Sequence, residues 1–122
     1  PEILAKHVIS YLTKRYPDSH YQIDDLIVGF NFAHQLQNTV AELSEGSLRK
    51  LSLISAVMKA QSLLLLDEPT NGLDATSNDF LMTYILAQTN VFTVLTGHGG
   101  AVYSLLTDLE IINLDSPAVK NN

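Results

Sequence analysis

An α/β fold, with parallel strands flanked by helices and a helical region at the amino end, follows from three observations in this 122-residue chain. Residues 63–66 are all leucine and run straight into Asp67 and Glu68. An apolar-periodic stretch leads into that run, and a second apolar run at 91–96 follows after a helix-like segment. Strands alternating with helical segments build a parallel sheet. A strand apolar at every position suits a sheet covered on both faces.

Each element has its own justification. Residues 2–16 place Ile3, Leu4, Val8, Ile9 and Leu12 at a helical period, and Pro17-Asp18-Ser19-His20 ends that helix with turn chemistry. Residues 23–30 and 33–43 read as two shorter helical pieces broken near Gly29 and Asn31. Residues 48–60 repeat apolar side chains at Leu51, Ile54, Val57 and Met58, a helix feeding the leucine strand. Residues 74–88 read as a helix capped near Asp74, and 91–96 as a second buried strand. A helix over 101–106, a third strand over 110–114 and a loose tail over 116–122 complete the chain. No internal repeat or low-complexity segment interrupts it.

Composition bounds the function. Apolar residues make up 46% and charged residues only 16%, so some apolar surface is expected where further strands or a partner would sit. A formal net charge of −6 argues against non-specific nucleic-acid binding and against anionic membrane surfaces. The absence of cysteine excludes disulfides and thiolate metal sites. No apolar run approaches the ~18 residues of a spanning helix.

Two segments carry candidate chemistry. Asp67 and Glu68 stand where ligands of open α/β sheets bind, just beyond the carboxyl end of a strand. An acid there can hold Mg²⁺ and a second can orient an attacking water, although the pair alone is more simply a solvated acidic turn. Upstream, Leu43-Ser44-Glu45-Gly46-Ser47 opens an apolar-periodic stretch. Ser44 is suited to cap a helix whose N–H groups and dipole favour an anion, phosphate above all. Taken alone, that too is only a capped helix.

In order and spacing these segments resemble the second half of an ATP-binding-cassette (ABC) ATPase domain, a partial P-loop NTPase-like unit. Residues 43–47 resemble the family signature L-S-G-G-Q, and 63–68 the Walker B strand with its catalytic glutamate. Pro69-Thr70 follows as in the family, Gly72-Leu73-Asp74 resembles the D-loop, and His98 falls at the switch histidine. Residues 107–114 resemble the late strand usually written A-D-R-I-I-V-L. The resemblance divides the chain into a helical signature subdomain over 1–47, a Walker B, D-loop and switch-histidine part over 48–115, and the tail.

The resemblance implies roles. Asp67 would hold Mg²⁺ through water, and Glu68 would polarise the attacking water as general base. His98 would sense the γ-phosphate. Ser44, Glu45, Gly46 and Ser47 would bind the ATP held by a second ABC ATPase domain in a head-to-tail dimer, with Asp74 across the same interface. His7, His20 and His34 lack ligand partners at metal spacing and read as surface residues. A phosphate loop of the form G-x-x-x-x-G-K-S/T is missing, and the glutamine loop has no convincing counterpart. The chain also begins with Pro1, so the expectation is a carboxyl-terminal piece of a longer ATPase, inactive alone, that exposes a sheet edge or pairs with another copy.

Three functions compete. The first is the ATP-hydrolysing part of a transporter, cytoplasmic and held at the membrane through a permease partner, with no nucleic acid involved. The second is a soluble relative acting on ribosomes or DNA. The third is a non-catalytic binding subunit, which Glu45 in place of glycine and Ser47 in place of glutamine make plausible; with Lys50 in place of the commoner arginine, these departures read as a weakened or atypical signature rather than a dead one. Gly97, before His98, would loosen the switch.

Overall fold

The computed structural model describes residues 2–97. Helix α1 (Ala5–Arg15) forms where the periodicity predicts it, with His7 Nδ1 accepting from the Leu4 N–H at 3.1 Å. Lys14 and Arg15 occupy its last turn, where the helix dipole favours positive charge. Helix α2 (Ile23–Gly29) is capped by Phe30 and followed by Asn31, whose φ of 52° lies in the left-handed region asparagine tolerates. The Phe32 N–H then donates to the Ile27 carbonyl at 2.8 Å, closing the turn.

The stretch expected to be a helix over 33–43 is instead two 3₁₀ turns, Ala33–Gln35 and Val40–Glu42. The reason is local. Glu42 Oε1 accepts from the Thr39 N–H at 2.9 Å, and Thr39 Oγ1 accepts from the Glu42 N–H at 3.2 Å. This reciprocal capping box starts a new turn and so interrupts the helix. The segment is held to the amino end by Ala5 N–H to Asn38 O and Val40 N–H to Ile3 O, both 2.8 Å.

Helix α3 (Glu45–Lys59) begins three residues earlier than its apolar period requires, because Ser44 caps it by accepting from the Ser47 N–H at 3.1 Å. Leu51, Leu53, Ile54, Val57 and Met58 are buried along it. Strand β1 (Leu63–Asp67) pairs in parallel with β2 (Phe92–Thr96), with Leu63 opposite Phe92 and Asp67 opposite Thr96. Between them α4 (Ala75–Phe80) runs into a π-helical turn at Leu81–Ile85, shorter than the helix expected over 74–88.

One core joins all of these elements. Ala5, Leu12, Leu26, Phe30, Ile54, Val57, Leu64, Leu66, Leu81 and Ile85 belong to a single buried cluster. At the α2–α4 contact Gly29 lies against the Phe80 ring, and any Cβ there would overlap it. Phe80 meets Phe30 edge-on and stacks on Tyr84, each at 4.9 Å between ring centroids.

The strands depart from expectation in their burial. Only Leu64 and Leu66 of β1 are buried, whereas Leu63 and Leu65 are 50% and 65% exposed. Phe92 and Val94, their partners in register, are 71% and 41% exposed, so β2 is not a buried strand either. Residues aligned across a parallel pair point to the same face. The described helices therefore cover one face of the sheet, and the other presents four apolar side chains. This is the exposed apolar area that the composition predicts. The expected elements over 101–106, 110–114 and 116–122 lie outside the described residues.

Candidate catalytic edge

The carboxyl end of β1 is held from two sides. Glu68 has a φ of 44°, in the left-handed region where a non-glycine backbone costs about 1–3 kcal/mol unless its surroundings fix it. Its N–H lies 3.1 Å from the Thr96 carbonyl and 3.0 Å from Thr96 Oγ1. Thr96 Oγ1 in turn donates to Asp67 Oδ1 at 2.5 Å. From the other side, Arg49 Nη2 donates to the carbonyls of Asp67, at 2.7 Å, and Glu68, at 2.5 Å. The Glu68 carbonyl also accepts from the Asn71 N–H at 3.0 Å, which begins the turn leading to Gly72 at φ 80°.

The first turn of α3 lies beside the turn at Gly72. A Cβ on Gly46 would stand 3.4 Å from the Gly72 carbonyl oxygen, so the two backbones approach closely. Lys50 Nζ, on a largely buried side chain, forms an ion pair with Asp74 Oδ2 at 2.8 Å. Asp74 Oδ1 accepts from the Ser77 N–H at 2.7 Å and so caps α4. The hydrogen bond from Lys50, and next those from Ser77, hold the Asp74 carboxyl down at about 2. Asp74 thus already has two partners within its own chain.

The sequence-derived residues accordingly fall into three groups. Ser44, Glu45, Gly46 and Ser47 form the cap and first turn of α3, with Ser44 and Glu45 exposed and Ser47 buried. The Ser44 hydroxyl donates to Ser47 Oγ at 3.1 Å while accepting from the Ser47 N–H. Asp67 ends β1 with Glu68 just beyond it, and Asp74 is tied to α3 through Lys50. His98 lies outside the described residues. Sequence reasoning missed Arg49, placed Thr96 only as the end of the second strand, and noted Lys50 only as a replacement. An available signal was the placement of two adjacent cations among the chain's seven Lys and Arg at the start of a helix with a buried face.

The arrangement fits a magnesium nucleotide in part. Asp67 is exposed at the strand end and offers the hard oxygen donors Mg²⁺ prefers. Among the described residues no group of three or more His, Cys, Asp or Glu forms a metal cluster, so Asp67 fits as one contributor. The amino end of a 15-residue helix suits a phosphate, with the Glu45 carboxylate opposing it. Also among the described residues, no helix is long and apolar enough to cross a membrane.

The chain is similar in sequence and in fold to known proteins. Elongation factor 3 of Phytophthora infestans is 36% identical over 78 residues, which is 63% of this chain and 8% of that protein. An uncharacterised ABC transporter ATP-binding protein of Schizosaccharomyces pombe is 32% identical over 85 residues, 69% of this chain and 12% of that protein. The chain thus spans a small part of the length of these relatives. A solved ATP-binding subunit of an ABC transporter superposes with a TM-score of 0.70, covering 85% of this chain and 46% of that one; at 20% identity the likeness concerns the fold. The ABC transporter family itself matches residues 4–71, from the start of α1 through the turn after Glu68. This chain belongs to the ABC transporter family, as a stretch of its ATP-binding domain.

Proposed function

We propose that this chain supplies the signature helix and the acid pair of an ATP-hydrolysing site within a longer ABC-type ATPase. The observation that carries the reading is the held edge of β1, where Asp67 and Glu68 emerge from a parallel strand with the Glu68 backbone fixed in an unusual conformation. Asp67 would hold Mg²⁺, which neutralises developing phosphate charge when bound. Glu68 accepts a proton from the water in line with the γ-phosphate, and His98 senses that phosphate. Ser44, Glu45, Gly46 and Ser47 face the nucleotide of a second, head-to-tail ATPase domain, and Asp74 orders the turn beside it.

The test is Glu68→Gln in the complete protein. The amide keeps the shape and cannot take the proton, so kcat falls by about 10²-fold or more while ATP binding persists. An undiminished kcat overturns the reading.

Two settings use such a site. The family and the fission-yeast relative support an ATPase that works with a membrane permease. Similarity to elongation factor 3 supports a second setting, an ATPase acting on the ribosome without a membrane partner. Fractionation of cells distinguishes them: sedimentation with ribosomes supports the second, and recovery with membranes supports the first.

A further inference from the structure

The molecule offers several features beyond the acid pair itself. Among the described residues, nothing against the apolar face of Leu63, Leu65, Phe92 and Val94 or the adjoining groove beside α1 and the end of α3 identifies an occupant. The Tyr84–Asp25 hydrogen bond, at 2.9 Å, closes a contact between helices. Arg49 is different, because it links two functional segments by contacts to backbone rather than to side chains.

Resting on the reading of Glu68 as the general base, we infer that Arg49 is a positioning residue for it, tying the signature helix to the backbone that aims the catalytic carboxylate. Arg49 lies in α3, the helix whose first turn contains Glu45, Gly46 and Ser47. Its Nη2 reaches the two carbonyls that bracket the Glu68 amide unit, at 2.7 and 2.5 Å. Thr96 grips the same residue by its N–H from the neighbouring strand.

The Glu68 side chain leaves a backbone fixed at a φ of 44°, so rotating that backbone swings the carboxylate away from its aim. An ordinary extended conformation would break the hydrogen bonds on both sides together. A left-handed glutamate persists only where neighbours over-determine it. Helix α3 is a stiff 15-residue rod capped at Ser44, so a displacement of its amino end carries Arg49 with it. Engagement of nucleotide at the signature is thereby felt at the catalytic acid through one guanidinium. A planar guanidinium suits this task because it presents several donors in a fixed fork.

The test uses the complete protein and four variants: Arg49→Met, Arg49→Lys, Glu68→Gln, and the double variant Arg49→Met with Glu68→Gln. Arg49→Met is expected to lower kcat for ATP hydrolysis about tenfold or more, with KM for ATP within about twofold, as a misaimed base does. Arg49→Lys restores part of that kcat through a single ammonium donor. In the Glu68→Gln background, Arg49→Met lowers the residual rate no further, because there is no base left to aim. A residue that only stabilises the fold would lower the melting temperature, with rate loss tracking the folded fraction in both backgrounds.

An unchanged kcat in Arg49→Met, or an equal loss in both backgrounds, overturns the inference. Should the methionine variant fail to fold, the lysine variant decides: reduced kcat at unchanged KM supports the inference, and wild-type kcat overturns it. Full activity in Glu68→Gln instead overturns the reading of Glu68 as base, and that outcome is distinguishable from failure of Arg49 alone.

Discussion

Replacing Gly29 by alanine tests how α2 is joined to the helix that follows the D-loop-like turn. A Cβ at Gly29 would approach the Phe80 ring more closely than the 3.0 Å that real Cβ atoms respect. Phe80 has little freedom to retreat. It lies 4.9 Å from Phe30 in an edge-on contact and 4.9 Å from Tyr84 in a stack, and the Tyr84 hydroxyl is anchored on Asp25. Overpacking of this kind costs about 1–3 kcal/mol. Breaking one aromatic pair adds about 0.5–1.5 kcal/mol. Alanine recovers about 0.5–1 kcal/mol over glycine in a helix. The net expectation is a destabilisation of about 0.5–4 kcal/mol, the steric terms outweighing the backbone gain. Urea unfolding followed by circular dichroism measures it as a lower midpoint at unchanged slope. In a Phe80→Leu background the loss shrinks, since the ring it depends on is gone. A Gly29→Ala protein as stable as wild type, or an equal loss in both backgrounds, refutes the argument.

Two further predictions concern charges near the amino end of α3. Lys50→Met removes the first cause of the low Asp74 pKa, and Asp74 is half-exposed, so after solvent screening the loss is about 0.5–1 kcal/mol near pH 7. Because the folded pKa is depressed from 3.8 to about 2, the contribution is complete above the unfolded value and disappears as pH falls through that interval. Between pH 6 and pH 2 the difference between the two proteins should therefore shrink, leaving a small remainder at pH 2 where the folded carboxyl is about half ionised, and a difference undiminished at pH 2 contradicts the assignment. Glu45→Gly removes a carboxylate beside the place a triphosphate would occupy; a repulsion of about 1 kcal/mol in water corresponds to an ATP-dependent dimerisation constant of the complete protein about fivefold higher. Light scattering at saturating Mg-ATP reads it, and an unchanged or smaller dimer fraction counts against the reading.

What the sequence made legible was local or periodic. The Ser44 cap needs only three neighbouring residues, and the leucine run and the apolar period of α3 are continuous patterns. The interruption of 33–43 was missed because Thr39 and Glu42 act through two reciprocal hydrogen bonds, which outweigh a helical period carried by few apolar positions. Strand burial was misjudged because an all-leucine strand reads as covered on both faces, whereas its packing in the described residues alternates. What Arg49 and Thr96 touch could not be read. Their contacts with residues 67 and 68 exist only once α3 folds back against β1 and β2 takes its place in register. His98 and the segments after it lie outside the described residues.

The left-handed backbone at Glu68 has a practical consequence for mutagenesis. Among substitutes, asparagine and aspartate accept that conformation readily, glutamine keeps the same stem, and valine, isoleucine or threonine would force the turn open. A library of replacements at this position therefore sorts first by steric compatibility with the turn and only then by proton affinity. Comparing an isoleucine variant with wild type would confound a displaced loop with a lost base. The amide is the control that separates them.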